Sequence, residues 1–361
     1  MKDRVGIGVI GTGFARKVQI PAFLKCEGAI IASVASGSID NARATAAECG
    51  AGHFTADWRE TIGHSDVDLV CITTPPSLHR DMTLFAVEHG KHILCEKPMA
   101  MNVAEAEEMT AAVAGKPILA LIDHELRFQP GRLLAYKMLR DGAIGMIRHI
   151  RSTFQAPHRG DPNVPWNWWS DASVGGGALG AINSHIIDSL NWFLGSDVSS
   201  VSCQLQSQIK ERRDSSGEMR AVTSDDEANM LLRFADGELT QDATGLVAVS
   251  MTQGPKYQNT MEFFGELGTL RIEHLGDLFI AKRGEDDWTA VDADLGTRMP
   301  GVPDTGFARG FMSFAPVIVD AIRNGKPKIK HAATFADGAN VQKVLDAARL
   351  SDREARLISI T

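Results

Sequence analysis

The sequence predicts an α/β domain with a doubly wound parallel sheet, followed by an α+β domain with a large open, mainly antiparallel sheet and flanking helices. In the first part of the chain, short continuous apolar runs alternate with helical segments, as in a parallel sheet covered on both faces. Later apolar runs follow one another without regular helices between them, which favours antiparallel pairing. The 361 residues exceed the roughly 250–300 at which a single core stops growing, so domains 1–124 and 125–361 are predicted.

The strands of the first domain are predicted where an apolar run precedes a helical segment. They lie at residues 4–10, 29–35, 68–73, 91–95 and 117–122. Ser77 is predicted to cap the helix that follows the third of these strands. Asn102 with Glu105 resembles a capping box at the start of the next helix.

The second domain is predicted to contain strands at residues 148–155, 200–208, 229–234, 238–244, 260–265 and 269–273. Asp236-Gly237 lies between two of these runs and is a strong hairpin signal. Helices return at about 305–323 and 335–351.

Composition narrows the possible partners. The chain has 37 basic and 45 acidic residues, a net charge of −8, which argues against nucleic acid or an anionic membrane surface. No apolar run approaches the roughly 18–20 residues of a membrane span, and the first residues lead straight into a strand without room for a signal peptide. The five cysteines are scattered without metal-type spacing, so we expect reduced thiols in a cytoplasmic protein without a metal site.

A glycine turn follows the first predicted strand. Gly11-Thr12-Gly13 ends the run RVGIGVI and opens a helix, as in the phosphate-binding turn of Rossmann domains, where backbone N–H groups approach a pyrophosphate. Arg16 replaces the third glycine of that fingerprint, so the match is partial. We predict that NADP or NAD binds here, with Phe14 and Arg16 beside the turn. The alternative is a glycine turn within an ordinary core.

The end of the second predicted strand bears on the choice of cofactor. NAD-selective sites carry Asp or Glu about 20 residues after the glycines, where it bonds the ribose 2′-OH. Here Ser36 and Ser38 occupy the strand end, and the next carboxylate is Asp40. Small hydroxyls with Arg16, Lys17 and Arg43 in reach suit a 2′-phosphate, so NADP is predicted over NAD. The alternative is that the two serines only form a turn.

Lys97 follows the fourth of these strands. The apolar run Ile93-Leu94-Cys95 leads into Glu96-Lys97-Pro98, and proline cannot continue a central strand. A lysine at the carboxyl end of a parallel strand lies where α/β proteins bind their ligands. The alternative is an ordinary solvated strand end.

Together these stretches resemble the Gfo/Idh/MocA oxidoreductases, the family of glucose–fructose oxidoreductase and inositol dehydrogenase. The likeness covers nearly the whole chain. It is carried by Gly11-Thr12-Gly13, Thr74-Pro75-Pro76 with His79, Glu96-Lys97-Pro98, Arg127-Phe128-x-Pro130, the run GGGALGAINSHIID at 175–188, and Asp337-Gly338 in the last helix.

The resemblance implies roles for particular residues. Lys97 would lie beside the nicotinamide and hydrogen-bond the substrate hydroxyl, with His185 as its catalytic partner. The residues that would join the glycine turn in binding the cofactor are Thr74, Pro75, His79, Glu96 and Lys97. The substrate would be a sugar, a polyol or a related hydroxy or keto compound, with contacts from Lys97, His185, Arg127 and Trp168.

Further polar contacts are left unranked among Asp123, His124, Arg159 and Asp171. Trp168 belongs to a cluster of three indoles, which could equally be core anchors. The resemblance also implies a homodimer or homotetramer formed through the outer face of the second-domain sheet.

The chain departs from the family pattern at two positions. Ala181 stands where the family often has Asp, and Asn183 where Gly is common. Without that carboxylate a Lys–Asp–His proton relay cannot be assumed, although Asp188, one helical turn after His185, could orient its ring. Two other functions therefore stay open: a cofactor-binding regulatory protein that has lost its chemistry, and an enzyme that recycles its cofactor within one site.

Overall fold

The computed structural model describes residues 3–360, which divide into two compact units. The first unit consists of the residues up to Ala100, Ala104–Gln129 and Gly296–Ala339. The second consists of Met101–Val103, Pro130–Leu295 and the residues from Asn340 onwards. The α-helices, in chain order, are α1 (Ile20–Phe23), α2 (Ile39–Cys49), α3 (Trp58–Gly63), α4 (His79–Glu88), α5 (Val103–Val113), α6 (Pro130–Arg140), α7 (Ser184–Leu194), α8 (Gly306–Arg323) and α9 (Phe335–Glu354).

The first unit is built on a six-stranded parallel sheet. Its strands are β1 (Val5–Ile10), β2 (Ala29–Ala35), β3 (His53–Thr55), β4 (Leu69–Ile72), β5 (His92–Cys95) and β6 (Ala120–Ile122). The order β3-β2-β1-β4-β5-β6 reverses between β1 and β4, so ligands are expected at the carboxyl ends of these strands. Every residue of β1 and β4 is buried, which explains their continuous apolar sequences. The predicted doubly wound sheet is confirmed.

Helix α8 also belongs to the first unit. Its apolar face joins the core of the parallel sheet, where Phe311 packs edge-on against Phe23 and Phe314 stacks on Phe128. The predicted division at residue 124 places this helix in the second domain instead. The periodicity of a helix shows that one face is buried but does not identify the sheet that buries it.

The second unit contains a nine-stranded sheet. Its strands are β7 (Ile147–Gln155), β8 (Val198–Gln206), β11 (Glu227–Phe234), β12 (Thr240–Ser250), β13 (Gln258–Gly265), β14 (Gly268–Ile272), β15 (Leu278–Lys282), β16 (Thr289–Val291) and β17 (Ile358–Ser359). Their order is β16-β15-β14-β13-β7-β12-β11-β8-β17, and all neighbours are antiparallel except β7 and β12. A separate hairpin joins β9 (Glu211–Arg213) and β10 (Met219–Ala221). The predicted open, mainly antiparallel sheet is confirmed.

Two local predictions have different outcomes. The hairpin predicted at Asp236-Gly237 is confirmed, because β11 and β12 pair antiparallel on either side of it and Gly237 N–H donates to the Thr240 carbonyl. The prediction that Ser77 caps a helix is wrong. Ser77 lies inside a 3₁₀ turn, Pro76–Leu78, and α4 begins only afterwards, without a side-chain cap.

Candidate active site

The glycine turn after β1 has the geometry that a pyrophosphate requires. Gly11 has a φ of +99°, and a Cβ there would lie 2.4 Å from the Thr73 carbonyl oxygen, so this position needs glycine. The Thr73 hydroxyl donates to the Ile10 carbonyl at 2.8 Å and fastens the turn to the end of β4. Gly13 differs, because a Cβ there would meet no atom within 4 Å. The turn is therefore rigid at Gly11 and open at Gly13, which fits close approach by a phosphate.

The segment after the turn is less regular than the sequence predicts. Phe14 precedes a π-helical turn, Ala15–Gln19, and only four residues of α1 follow. π-helical turns occur often at functional sites. Arg16 forms a two-pronged ion pair with Glu48 of α2, in which its Nε lies 2.7 Å from Oε2.

The predicted 2′-phosphate residues at the end of β2 have other partners in the structure. Ser36 Oγ lies 3.4 Å from Thr12 Oγ1, and Ser38 Oγ accepts the Asn41 N–H at the start of α2. Arg43 forms an ion pair with Asp40 at 2.9 Å. A phosphate would therefore compete with carboxylates for the arginine side chains.

His79 connects the ends of β4 and β5. Its ring is buried, with Nε2 2.9 Å from the Thr74 carbonyl oxygen and Nδ1 3.1 Å from the Pro98 carbonyl oxygen. Burial lowers the pKa of His79, and a neutral ring donates to only one of these two carbonyl oxygens. In these contacts His79 and Thr74 hold the segment that carries Lys97, and a direct contact of His79 or Pro75 with the cofactor stays a prediction.

Lys97 lies at the carboxyl end of β5, as predicted, and is only partly accessible. Its side chain is 19% exposed, and Nζ lies 4.0 Å from Oε2 of Glu96, whose side chain is 12% exposed. The Lys97–Pro98 peptide bond is cis. Both side chains are less exposed than those of an ordinary solvated strand end, and the role of Lys97 in a site stays a prediction.

A buried carboxyl cluster lies next to Lys97. Gln19 Nε2 donates to Asp123 Oδ2 at 2.7 Å and to Glu96 Oε1 at 3.3 Å. Gln19 and Asp123 are fully buried, and Glu125 is 2% exposed. Burial raises the pKa of Glu96, and raises the pKa values of Asp123 and Glu125 well above their usual range. Asp123 directly follows β6, as Glu96 directly follows β5. The position at a strand end, which predicted Lys97, could therefore have placed Asp123 first among the polar candidates. Gln19 and Glu125 have no sequence feature that predicts a place in this cluster.

Arg127 forms a tie within the first unit. Its side chain is buried, and Nη2 donates to Asp337 Oδ1 at 3.1 Å. Burial opposes the charge of Asp337, but the positive charge of Arg127 and the hydrogen bonds from Thr334 and Arg127 together outweigh burial and lower the pKa of Asp337. The contact of Arg127 with substrate stays a prediction.

The glycine run of the second unit is packed against protein. A Cβ at Gly176 would lie 2.4 Å from the Trp169 carbonyl oxygen, and one at Gly177, whose φ is +116°, would lie 2.4 Å from Asp225 Oδ1. Asp225 Oδ2 accepts the Leu179 N–H at 2.7 Å, and burial raises the pKa of Asp225 to about 6. These glycines allow the loop to pack closely before the following helix begins.

His185 lies in the first turn of α7, in the second unit. A π-helical turn, Leu179–Asn183, leads into this helix and carries Ala181. His185 and Asp188 are both buried. The roles of His185 and Asp188 in proton transfer stay predictions.

The three indoles before the glycine run differ in their contacts. Trp166 Nε1 donates to the Ala221 carbonyl, and the Arg159 guanidinium lies 4.0 Å from the Trp169 ring centroid. Both of these indoles are half-buried and contact protein groups. Trp168 is 42% exposed, so a ligand can reach it.

None of the helices within residues 3–360 is long and apolar enough to cross a membrane. The same residues contain no group of three or more His, Cys, Asp or Glu side chains that could hold a metal ion. All five cysteines are free thiols. The cytoplasmic location inferred from the scattered cysteines stays a prediction.

Two family models match the chain. One, described as an oxidoreductase family with an NAD-binding Rossmann fold, matches residues 5–124, and the GFO/IDH/MocA C-terminal domain matches residues 133–271. The chain belongs to the Gfo/Idh/MocA oxidoreductases. The resemblance drawn from its motifs is therefore confirmed, together with the predicted enzyme class and a nicotinamide dinucleotide as cofactor.

Relatives share the fold over the whole chain. Levoglucosan dehydrogenase of Pseudarthrobacter phenanthrenivorans is 34% identical over 270 residues, which cover 67% of this chain and 69% of that protein. A solved structure of levoglucosan dehydrogenase in complex with NADH and L-sorbose is 28% identical, with a TM-score of 0.88 over 100% of both chains. An oxidoreductase domain protein from Kribbella flavida is 30% identical, with a TM-score of 0.87 over 100% of both chains.

Proposed function

We propose that this Gfo/Idh/MocA oxidoreductase transfers a hydride between a nicotinamide cofactor and a carbinol carbon of a sugar, polyol or related hydroxy or keto compound. The observation that supports the proposal is the position of Lys97. Its side chain is partly buried beside Glu96 at the carboxyl end of β5, in a unit whose glycine turn is open at Gly13. Levoglucosan dehydrogenase, whose solved structures hold NADH with levoglucosan or L-sorbose, supports a sugar-type substrate.

The proposed chemistry separates the hydride from the proton. The nicotinamide, when bound, takes the hydride or returns it. In oxidation, Lys97 Nζ takes the proton of the substrate hydroxyl, and Glu96 stabilises the ammonium that results. His185 assists Lys97 because an imidazole exchanges protons near neutral pH. Ala181 offers no carboxylate to this transfer, so Lys97 and His185 handle the proton between them.

NADP is the cofactor that we propose as preferred over NAD. The end of β2 supplies Ser36 and Ser38 rather than the carboxylate that binds a ribose 2′-OH. The ion pairs of Arg16 with Glu48 and of Arg43 with Asp40 oppose the preference, since a 2′-phosphate must displace carboxylates to use those arginines. Fluorescence titration with NADPH and NADH side by side tests it, and equal or tighter binding of NADH would overturn it.

The catalytic proposal is tested with Lys97→Ala. We expect turnover of a responsive sugar or polyol to fall about 10²–10⁴-fold, because a general acid–base group is lost, while NADPH affinity stays within about twofold. Lys116→Ala, at an exposed lysine of the same unit, is the control and should leave both values unchanged. Unchanged turnover in Lys97→Ala would refute the assignment. Tight cofactor binding without turnover of any sugar or polyol by the wild type would favour the regulatory alternative.

We also propose that the chain forms a homodimer or homotetramer through the outer face of the nine-stranded sheet. Leu231 and Leu246 are paired across β11 and β12, and they are 59% and 37% exposed. Leu231→Asp should dissociate the oligomer in sedimentation experiments. Leu267→Asp changes an equally exposed leucine in a turn and should not. A monomeric wild type would remove this proposal.

A further inference from the structure

The carboxyl cluster beside Lys97 contains more acid than one lysine can balance. Asp123 and Glu125 are buried where β6 ends, the Glu96 side chain at the end of β5 is 12% exposed, and the charge of Lys97 acts on all three. Three ionised carboxylates beside one ammonium would leave a net charge of about −2 in a largely buried cluster, which is costly. Protons must therefore be retained within the cluster.

The geometry brings two of these carboxyls together. A single amide nitrogen of Gln19 donates to Asp123 Oδ2 at 2.7 Å and to Glu96 Oε1 at 3.3 Å. Two ionised carboxylates held against one donor repel each other and are acceptors only, so a proton retained on one of them relieves the repulsion and lets that group donate to the other.

The surroundings decide which carboxyl holds that proton. Glu96 lies against Lys97 Nζ and accepts the Lys97 backbone N–H at 3.3 Å, both of which favour its charged form. Asp123 is fully buried, and the negative charge of Glu96 favours its neutral form. The proton therefore belongs mainly to Asp123, and the negative charge mainly to Glu96.

Within residues 3–360, the other titratable groups that act on the pair add no second positive charge. Burial keeps the thiols of Cys71 and Cys95 neutral by raising their pKa values well above the usual range, and it raises the pKa of Glu125 in the same direction. Burial also lowers the pKa of His79, which disfavours a charge on its ring. Helix α8, which packs on the Glu125–Phe128 turn, turns apolar residues inward: Gly306, Ala308, Gly310, Phe311, Phe314, Ala315, Ile318, Val319, Ala321 and Ile322.

We propose that Asp123 holds a proton shared with Glu96, so that the pair presents one negative charge, rather than two, to Lys97. Asp123 and Gln19 are then positioning residues that act through Glu96. Two negative charges would favour the ammonium form of Lys97 more strongly than one; with none, the ammonium formed in the reaction would lack a counter-charge. This catalytic consequence rests on the proposed function, whereas the shared proton does not.

Infrared spectroscopy of the protein without cofactor tests the proton directly. We expect the carbonyl absorption of a protonated carboxyl near neutral pH, weakened in Asp123→Asn and in Glu125→Gln, since each removes one neutral acid. Glu108→Gln, at an exposed carboxylate paired with Arg80, should leave this absorption unchanged. A wild-type spectrum without it near neutral pH would overturn the proposal, as would one that Asp123→Asn does not alter.

A second experiment measures the charge that Lys97 experiences. The pH dependence of Lys97 acetylation by acetic anhydride, followed by mass spectrometry, gives its titration midpoint without any turnover. Asp123→Asn should leave the midpoint within about 0.3 pH unit, because it replaces a neutral acid by a neutral amide, whereas Glu96→Gln should lower it by about one unit or more. Equal lowering in both variants would show that Asp123 is charged and would refute the proposal. Failure to find a sugar substrate would refute the proposed function and leave both readouts intact.

Discussion

The two glycine segments of the chain have opposite uses. In the first unit, Gly11 needs its left-handed backbone, but Gly13 faces open space. In the second unit, Gly176 and Gly177 are closed in by the Trp169 carbonyl and the Asp225 carboxylate. Glycine in the first segment leaves room for a ligand, whereas glycine in the second leaves room for the protein itself. The residue type alone does not separate these cases.

Buried charge is accommodated differently at two places in the chain. Beside Lys97, acidic groups outnumber their cation and must share protons. In the second unit, the buried guanidinium of Arg212 donates to the carbonyls of Arg159, Asp161 and Val164. These bonds fasten the loop that precedes the indoles.

The largest effect is expected for Gly177→Ala. The change forces a φ of +116° on a residue with a Cβ and drives that carbon against Asp225, so we expect a loss of roughly 3–4 kcal/mol in unfolding free energy. Gly217 has a φ of +88°, but a Cβ there would meet open space. Gly217→Ala should therefore lower the unfolding free energy by only about 1–2 kcal/mol. Urea unfolding of both variants checks this. Equal losses would mean that close packing at Gly177 contributes nothing.

Arg212→Met should lower the unfolding free energy by about 2–3 kcal/mol. The variant leaves three carbonyl groups without their donor, and the removal of a buried charge offsets only part of that loss. Arg213→Met, at the exposed neighbour on β9, should change stability by less than about 0.5 kcal/mol. Thermal unfolding compares them. If the two variants match, Arg212 does not fasten the loop.

Gly13→Ala sharpens the contrast between the glycine segments. Because its Cβ meets nothing within 4 Å, stability should stay within about 0.5 kcal/mol of the wild type, while NADPH affinity should fall about tenfold or more as the methyl group enters the phosphate path. The measurements are urea unfolding and fluorescence titration. Unchanged affinity would show that the phosphate does not approach at Gly13.

Asp123→Asn tests the carboxyl cluster through pH. Burial raises the folded-state pKa of Asp123 well above its ordinary value of 3.8, so in that window the folded protein binds a proton that the unfolded chain has released. Unfolding free energy therefore falls as pH rises above about 4, by at most about 1.4 kcal/mol per pH unit for one proton. The variant lacks this proton and should gain stability relative to the wild type as pH rises. A difference that does not change with pH would show that Asp123 is ionised in both states.

The smallest effect is expected for Ser38→Ala. Ser38 accepts the Asn41 N–H at the start of α2 at 3.4 Å, a long bond, so its loss should cost about 0.5 kcal/mol. Titrations with both cofactors then show whether its hydroxyl has a second use. A loss of NADPH affinity that NADH does not share would assign Ser38 to the 2′-phosphate, and equal affinities would restrict it to capping.

Local patterns were sufficient where a feature depends on a few neighbouring residues. The glycine turn at Gly11, the hairpin at Asp236-Gly237 and the position of Lys97 at a strand end all follow from short-range rules, and the structure has each of them. The prediction that Ser77 caps a helix failed because consecutive prolines favour a 3₁₀ turn before α4, and this outweighs the capping preference of serine.

Features that depend on distant residues were not predictable in this way. Arg16 pairs with Glu48 of α2, and α8 covers the parallel sheet from far along the chain. Nothing near Gln19 in the sequence indicates that its amide joins Glu96 to Asp123, 77 and 104 residues away.

The sequence by itself determined the alternation of strands and helices, the glycine turn and the family, because these reside in periodicity and short motifs. The tertiary structure alone decided which charges are paired and which must share a proton. Burial sets the energy of a charge, and burial is a property of what the folded chain places around it, not of the residue or its neighbours in sequence.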